Sequence, residues 1–312
     1  MFCRFFMPLR GRLAPTPTGF LHVGHARTFA QAADRAGAAG LVLRIEDLDG
    51  PRCREEFCRA AVEDLRWLGL DWTEGPDLGG PCGPYLQSER TEWYLEVWRR
   101  LEAAGAIYPS PHSRRDVDEA ATAPHEARPE AAAEDSIFPA SLRPARWERA
   151  AAPAAVAWRF RVPDGRTVEF DDAILGRVCR TAGRDFGDFV VWRRDALPAY
   201  ELAVVADDHA MAIAEVVRGE DLLTSTARQL LLFEALGWVA PAFCHLPLVC
   251  DAAGRRLAKR TGGLAIRELR SRGFSPADVL TAPHATLVGR TEPARRCSAV
   301  AGSKTDWTRK DR

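Results

Sequence analysis

The stretch Thr16-Pro17-Thr18-Gly19-Phe20-Leu21-His22-Val23-Gly24-His25 sets two imidazoles around a glycine, where a proline-broken turn runs into a helical segment. A helix start offers unpaired backbone N–H groups and the positive end of the helix dipole, which together favour an anion such as phosphate. Gly24 lets a nucleotide lie against bare backbone, because a side chain there would block its approach. His22 and His25 can donate to phosphate oxygens as negative charge builds on them. Upstream, Arg10–Ala14 reads as a short strand. Downstream, Gly24–Ala36 has helical character, and Leu41-Val42-Leu43-Arg44-Ile45 reads as a buried strand ending in Glu46-Asp47.

The alternation continues outward. Arg54–Leu68 is an amphipathic helix with Phe57, Ala61, Leu65 and Leu68 on one face, and Thr91–Ala104 is another, with Trp93, Val97, Leu101 and Ala104. From Asp118 to about Ala157, Ala, Pro and Glu dominate and no period persists; a loosely structured insertion and a few short Ala-rich helices fit equally. Phe189–Trp192 reads as a strand, Leu202–Ala206 as an apolar run closed by Asp207-Asp208, and Ile213–Val217 as a third strand that breaks at Arg218-Gly219 before a helix over Thr226–Leu236. Strand and helix alternating on both sides of the insertion predict an α/β fold around an open, mostly parallel sheet. The tail from Pro283 lacks periodicity and is expected to be disordered.

Composition narrows the function. The 312 residues carry 43 basic and 43 acidic side chains, so any nucleic-acid contact must come from a local basic face rather than from bulk charge. The eight cysteines form no C-x-x-C pair, which argues against a disulfide framework or a strong zinc signature. No apolar run approaches the ~20 residues of a membrane helix, and Met1–Leu9 is too short in its apolar part for a signal peptide, so a cytoplasmic location is expected, with Met1 or Met7 as the start. All but three of the basic residues are arginines, and Lys259 is the sole lysine before the last nine residues. It sits in Arg255-Arg256-Leu257-Ala258-Lys259-Arg260-Thr261-Gly262-Gly263, a basic, glycine-ended loop. Such a loop can close a point charge over a triphosphate and follow it during transfer.

These two stretches carry a resemblance. Leu21–His25 resembles the HIGH motif of class I aminoacyl-tRNA synthetases, and Leu257-Ala258-Lys259-Arg260-Thr261 their KMSKS loop. Arg12–Gly19, Ala26-Arg27-Thr28, Arg44–Asp49, Gln87-Ser88-Glu89-Arg90 and Val217–Leu223 resemble the glutamyl branch, so that the likeness runs from about Arg10 to Leu280. Within that branch the length resembles the stand-alone glutamyl-queuosine tRNA(Asp) synthetases, which lack an anticodon-binding domain. Ala199–Asp208 matches that group, with Glu201 where Gln is usual.

The resemblance implies a Rossmann-type catalytic domain in two halves, 10–105 and 188–282, with an inserted smaller subdomain over 106–187 and a tail over 283–312. It implies that glutamate is activated with ATP and Mg²⁺ and then transferred to queuosine of tRNA(Asp), by a monomer without membrane contact. His22, His25 and Lys259 would be catalytic, and Thr16, Gly24, His25, Lys259 and Arg260 would hold ATP. Arg12, Ala14, Thr16, Glu46, Tyr200 and Arg218 would hold glutamate; an arginine fork suits a carboxylate, and Glu46 would take the ammonium. Arg267, Arg270 and Arg272 are candidates for a local phosphate-binding face or for ordinary solvated arginines. The alternatives are a short glutamyl-tRNA synthetase charging tRNA(Glu) and a catalytically inactive tRNA- or adenylate-binding paralogue.

Two departures bear on these expectations. Ala258 and Arg256 replace the usual Ser and first Lys of the KMSKS loop, which implies slower rather than absent activation. The four positions where many members hold zinc carry Ser110, His112, Phe138 and Leu142, of which only His112 is a good zinc ligand, so no structural zinc is expected.

Overall fold

A computed structural model describes residues 10–37, 40–113, 115–117, 137–153, 155–248, 264–282 and 286–287. Strand β1 (Gly11–Leu13) runs into helix α1 (Val23–Ala36) and returns as β2 (Leu41–Leu43), parallel to β1 with Arg12 opposite Val42. Helix α1 buries Val23, Ala26, Phe29, Ala32 and Ala36 at helical spacing, and ends at Gly37, whose φ of 49° favours glycine. Helix α2 (Glu55–Trp67) has Glu55 and Glu56 in its first turn and Arg66 in its last, matching the helix dipole. Helix α3 (Thr91–Ala103) leads into β3 (Ile107–Ser110).

The chain then builds β4 (Ala157–Phe160), the antiparallel hairpin β5 (Thr167–Asp172) and β6 (Gly176–Thr181), and β7 (Phe189–Trp192). The chain continues as α4 (Tyr200–Ala210), β8 (Glu215–Gly219), α5 (Leu223–Leu236), β9 (Ala242–Leu246), α6 (Ile266–Ser271) and α7 (Pro276–Thr281).

Strands β8 and β9 are parallel, with Arg218 opposite His245. The N–H groups of Ala214 and Glu215 donate to the Arg10 carbonyl at 2.8 and 3.3 Å, which brings β8 beside β1 and sets β2, β1, β8 and β9 in one parallel layer. The sheet structure is nonetheless mixed. Hairpin β5–β6 joins the edge of β9 through the single pair Asp172–Phe243, and β3, β4 and β7 form a separate antiparallel sheet. The layer that carries the site is parallel, as expected; the antiparallel pairs are those of β3, β4 and β7 and of the β5–β6 hairpin, whose β5 meets β9 in parallel.

A correction concerns Leu202–Ala206. This run is the middle of α4, a helix whose residues from Glu201 to Asp208 are all buried. A helix covered all round shows no amphipathic period, so a short apolar run cannot separate it from a buried strand. Strand β8 also starts two residues later than expected and includes Arg218, which thus lies in a strand rather than in the turn after it.

One core gathers Leu13, Phe29, Leu43, Leu65, Val217, Ile266 and Val279 between the parallel strands and helices α1, α2, α6 and α7. The other packs Tyr94, Val97 and Trp98 of α3 against Trp158, Phe160, Trp192 and the buried sides of α4 and α5, with Trp98 and Trp158 edge to face at 4.8 Å. Leu287 is fully buried in the first core, an exception to the disorder expected after Pro283; the remainder of that tail, and 118–136 of the alanine-rich stretch, lie outside the described residues. Among the described residues no helix is long and apolar enough to cross a membrane.

Candidate active site

A cavity of about 360 Å³ opens at the C-terminal ends of the parallel strands, where ligands of open α/β sheets bind. Arg12, Ala14 and Thr16 reach it from the end of β1, His22, Gly24 and His25 from the start of α1, and Glu46 from the chain after β2. Tyr200 enters from the start of α4 and Arg218 from β8. The structure thus brings together nine of the eleven residues singled out in the sequence. The other two, Lys259 and Arg260, lie outside the described residues, as does the loop that carries them.

The helix start is built by the histidines themselves. His22 is the N-cap of α1: its Nδ1 accepts the Gly24 N–H at 3.1 Å, while His25 Nδ1 accepts the His22 N–H at 3.3 Å. Both Nδ1 atoms are acceptors, so in the neutral rings the proton sits on Nε2 of each. The two rings stack at 3.8 Å. Gly24 suits this packing, since a Cβ there would stand 3.0 Å from the His22 ring, close enough that the ring would have to give by a few tenths of an ångström. Capping and phosphate recognition use different atoms of the same rings and are compatible.

Behind the cavity lies a buried charge cluster. Arg44 is fully enclosed and meets Glu46 at 3.0 Å, Asp208 at 2.8 Å and Asp207 at 3.7 Å. Asp208 also faces Arg12 Nε at 3.4 Å, and Asp207 accepts from Arg90 at 2.7 Å, Gln87 at 2.8 Å and the Tyr94 hydroxyl at 2.9 Å. Three arginines and three carboxylates, all largely buried, neutralise one another, the condition under which buried ions are tolerated. Burial pulls Arg12 below its usual pKa, whereas the three carboxylates around Arg44 outweigh its burial and hold it above. Burial pushes Glu46 above the usual carboxylate range, although Arg44 and Arg12 oppose this. Tyr200 presents 38% of its surface, yet the shelter of the cavity wall pushes its hydroxyl up to about 12, so it stays protonated at neutral pH.

Sequence reasoning missed the residues behind Arg218. Its Nη2 donates to Thr226 Oγ1 at 2.7 Å and its Nε to His245 Nε2 at 3.3 Å, and His245 Nδ1 lies 2.7 Å from Asp172 Oδ2. The available signals were a histidine inside the apolar strand Phe243-Cys244-His245-Leu246 and an aspartate closing the alternation of β5.

The other candidates fare differently. Arg267 contacts Glu63 and Asp64 of α2 at 3.3 and 3.4 Å and covers Phe20, and Arg272 meets Glu268 and the Leu287 carbonyl. Both are occupied within the fold, which leaves Arg270, exposed and lying over Trp67, as the outward member of that trio. At the four insertion positions, Ser110 Oγ accepts from Arg159, and Phe138 and Leu142 pack into a small apolar cluster with Tyr108 and Val117. The His112 ring lies 6.2 Å from Phe138. Among the described residues no group of three or more His, Cys, Asp or Glu is placed to hold a metal ion.

The family model described as tRNA synthetases class I (E and Q), catalytic domain, matches residues 8–300. The glutamyl-Q tRNA(Asp) synthetase of Symbiobacterium thermophilum is 46% identical over 92% of this chain and 90% of its own length, and that of Nitratidesulfovibrio vulgaris 44% over 90% and 86%. The crystal structure of the glutamate-tRNA synthetase from Elizabethkingia anophelis superposes with a TM-score of 0.67 at 30% identity, covering 85% of this chain; the chain spans 54% of that longer protein.

Proposed function

The chain belongs to the class I tRNA synthetases of the glutamyl and glutaminyl type, within them to the glutamyl-Q tRNA(Asp) synthetases, and on that footing we propose that it activates L-glutamate with ATP and transfers the glutamyl group to queuosine in the anticodon loop of tRNA(Asp). The observation that carries the chemistry is the single cavity in which two arginines, a carboxylate and a histidine-capped helix start meet. Glutamate has two carboxylates and one ammonium. Arg12 and Arg218 supply the forks for the carboxylates, and Glu46 supplies the acceptor for the ammonium. ATP, as its magnesium complex, lies across Gly24 with its phosphates toward the start of α1, held also by Thr16, Lys259 and Arg260.

A glutamate carboxylate oxygen attacks the α-phosphorus, the bond to the bridging oxygen breaks, and pyrophosphate leaves. The Nε2–H groups of His22 and His25, with the ammonium of Lys259, receive the charge that develops on the phosphate oxygens. A queuosine hydroxyl then attacks the activated carbonyl and AMP departs. Positioning and electrostatics carry both steps, so no covalent enzyme intermediate is invoked. The apolar filling around Phe138 and Leu142 supports an insertion without structural zinc. The reading extends to a cytoplasmic monomer. A second reading, charging of tRNA(Glu), draws on the likeness to the longer glutamate-tRNA synthetase.

Activation is tested by ATP–pyrophosphate exchange. The expected result is exchange that requires L-glutamate and is not supported by L-glutamine, which lacks the second carboxylate. Absence of exchange with any amino acid would indicate an inactive paralogue. A further expectation concerns pH. Glu46 must be ionised to hold the ammonium, and burial raises its pKa, so protonation sets in above the ordinary carboxylate range. Glutamate affinity measured by calorimetry should weaken progressively as the pH falls toward that range. In Glu46→Gln the pH dependence should vanish, with affinity about tenfold or more lower at neutral pH. A wild-type affinity flat down to the ordinary carboxylate range would remove Glu46 from the role.

A further inference from the structure

Arg218 is 4% exposed and is held from behind by groups on two other elements. Thr226 on α5 accepts from Nη2, and its own hydroxyl proton lies between His245 Nε2 at 2.9 Å and the Leu222 carbonyl at 3.1 Å, so Nε2 as an acceptor serves both Arg218 and Thr226. His245 on β9 takes Nε, and the Phe243 ring lies 5.5 Å from the guanidinium carbon. Nη1 is buried and has no hydrogen-bond partner among the described residues, although the group lines the cavity. A planar guanidinium pinned at Nε and at one Nη cannot turn, so the direction of its remaining nitrogen is set before any ligand arrives.

We propose that His245 and Asp172 are positioning residues that hold Arg218 ready for a substrate carboxylate, with His245 kept as the neutral Nδ1–H tautomer; the carboxylate's identity rests on the glutamate-activating function proposed above.

The tautomer follows from counting donors. Asp172 Oδ1 accepts the N–H groups of Ile174 and Leu175, both at 2.9 Å, and Oδ2 accepts the His245 backbone N–H at 3.0 Å. Burial alone would raise this carboxyl, but those loop N–H groups and the His245 ring outweigh it and hold its pKa low. An ionised carboxylate only accepts, so the 2.7 Å contact at Oδ2 needs the proton on Nδ1. Nε2 is then a lone pair, the form able to accept from Arg218. A second proton on Nε2 would face the guanidinium N–H directly, and burial further disfavours the imidazolium. With the other tautomer, or with a cation, Arg218 would lose its rear support. The arrangement also gives hairpin β5–β6 a task, because Asp172 is the residue at which that hairpin joins the parallel layer.

Two measurements test this. The first needs no ligand: long-range ¹H–¹⁵N spectra of the histidine rings should show His245 neutral and protonated at Nδ1 across the pH range in which the protein is folded. A wild-type His245 that is cationic or protonated at Nε2 at neutral pH would overturn the proposal. The second is calorimetric binding of L-glutamate and of ATP to two variants, alongside their melting temperatures. His245→Asn reaches Asp172 but not Arg218, and should weaken glutamate binding by roughly ten- to a hundredfold while ATP binding stays within about twofold. His245→Gln offers a carbonyl oxygen near the Nε2 position and should recover most of that loss. Equal losses in the two variants, following their melting temperatures, would mean that His245 is only part of the core and would overturn the proposal. A wild-type protein that binds no L-glutamate would overturn the functional reading and the carboxylate assignment with it. The tautomer measurement would still decide the His245–Asp172 arrangement by itself.

Discussion

Arg218→Lys is expected to lower kcat/KM for glutamate in ATP–pyrophosphate exchange by about thirty- to a thousandfold, with KM for ATP changed less than about threefold. The charge is conserved, so the loss isolates geometry. Arg218 meets Thr226 at 2.7 Å and His245 at 3.3 Å while a third nitrogen remains for a ligand, and a lysine ammonium at the end of a flexible stem cannot satisfy all three directions. Hydrogen bonds to charged groups contribute roughly 1.5–3 kcal/mol each, and one or two of them are removed from the transition state. A matching loss in ATP affinity would place Arg218 in the nucleotide site and contradict the assignment.

The second large effect is expected in stability. Arg44→Ala removes the fully buried cation at the centre of the cluster and leaves Asp207, Asp208 and Glu46 with only Arg90 and Arg12 to balance them. Breaking a buried ion pair by deleting one partner costs about 3–5 kcal/mol, and in a protein of this size each kcal/mol is worth about 2–4 °C in Tm. A fall of roughly 6–20 °C in a thermal melt is therefore expected. Arg59→Ala provides the control: its partner Glu55 is as close, at 2.7 Å, but both side chains are mostly in solvent, so the melt should not move measurably. Similar small shifts in both variants would mean that the cluster is wetter than its burial indicates.

The first βαβ unit and the histidine-capped helix start were legible because their signals are local, whereas Arg12, Glu46, Tyr200 and Arg218 were singled out only through the family resemblance. The loop–glycine–histidine sequence needs only neighbouring residues to form a capped helix start, and α1, α2 and α3 each show a helical apolar face. Helix α4 was not legible, because a helix buried on all sides loses the polar stripe by which a helix is recognised. The antiparallel sheet of β3, β4 and β7 was hidden for another reason: its partners lie far apart in the chain, and strand pairing depends on the whole topology. The rear support of Arg218 was invisible likewise, since Asp172 and His245 are 73 residues apart and neither stands in a motif. Yet Arg44 within Leu41–Ile45, Asp207-Asp208 after an apolar run, and His245 within β9 share one mark. Each is a polar residue inside a stretch that must be buried, so each requires a specific partner.

The most direct test of the central claim is attachment of labelled L-glutamate to purified tRNA(Asp) with and without queuosine, beside tRNA(Glu), in the presence of ATP. The expected result is label on the queuosine-bearing tRNA(Asp) alone. Label on tRNA(Glu) instead would contradict it and make the protein a tRNA-charging enzyme of the glutamyl branch.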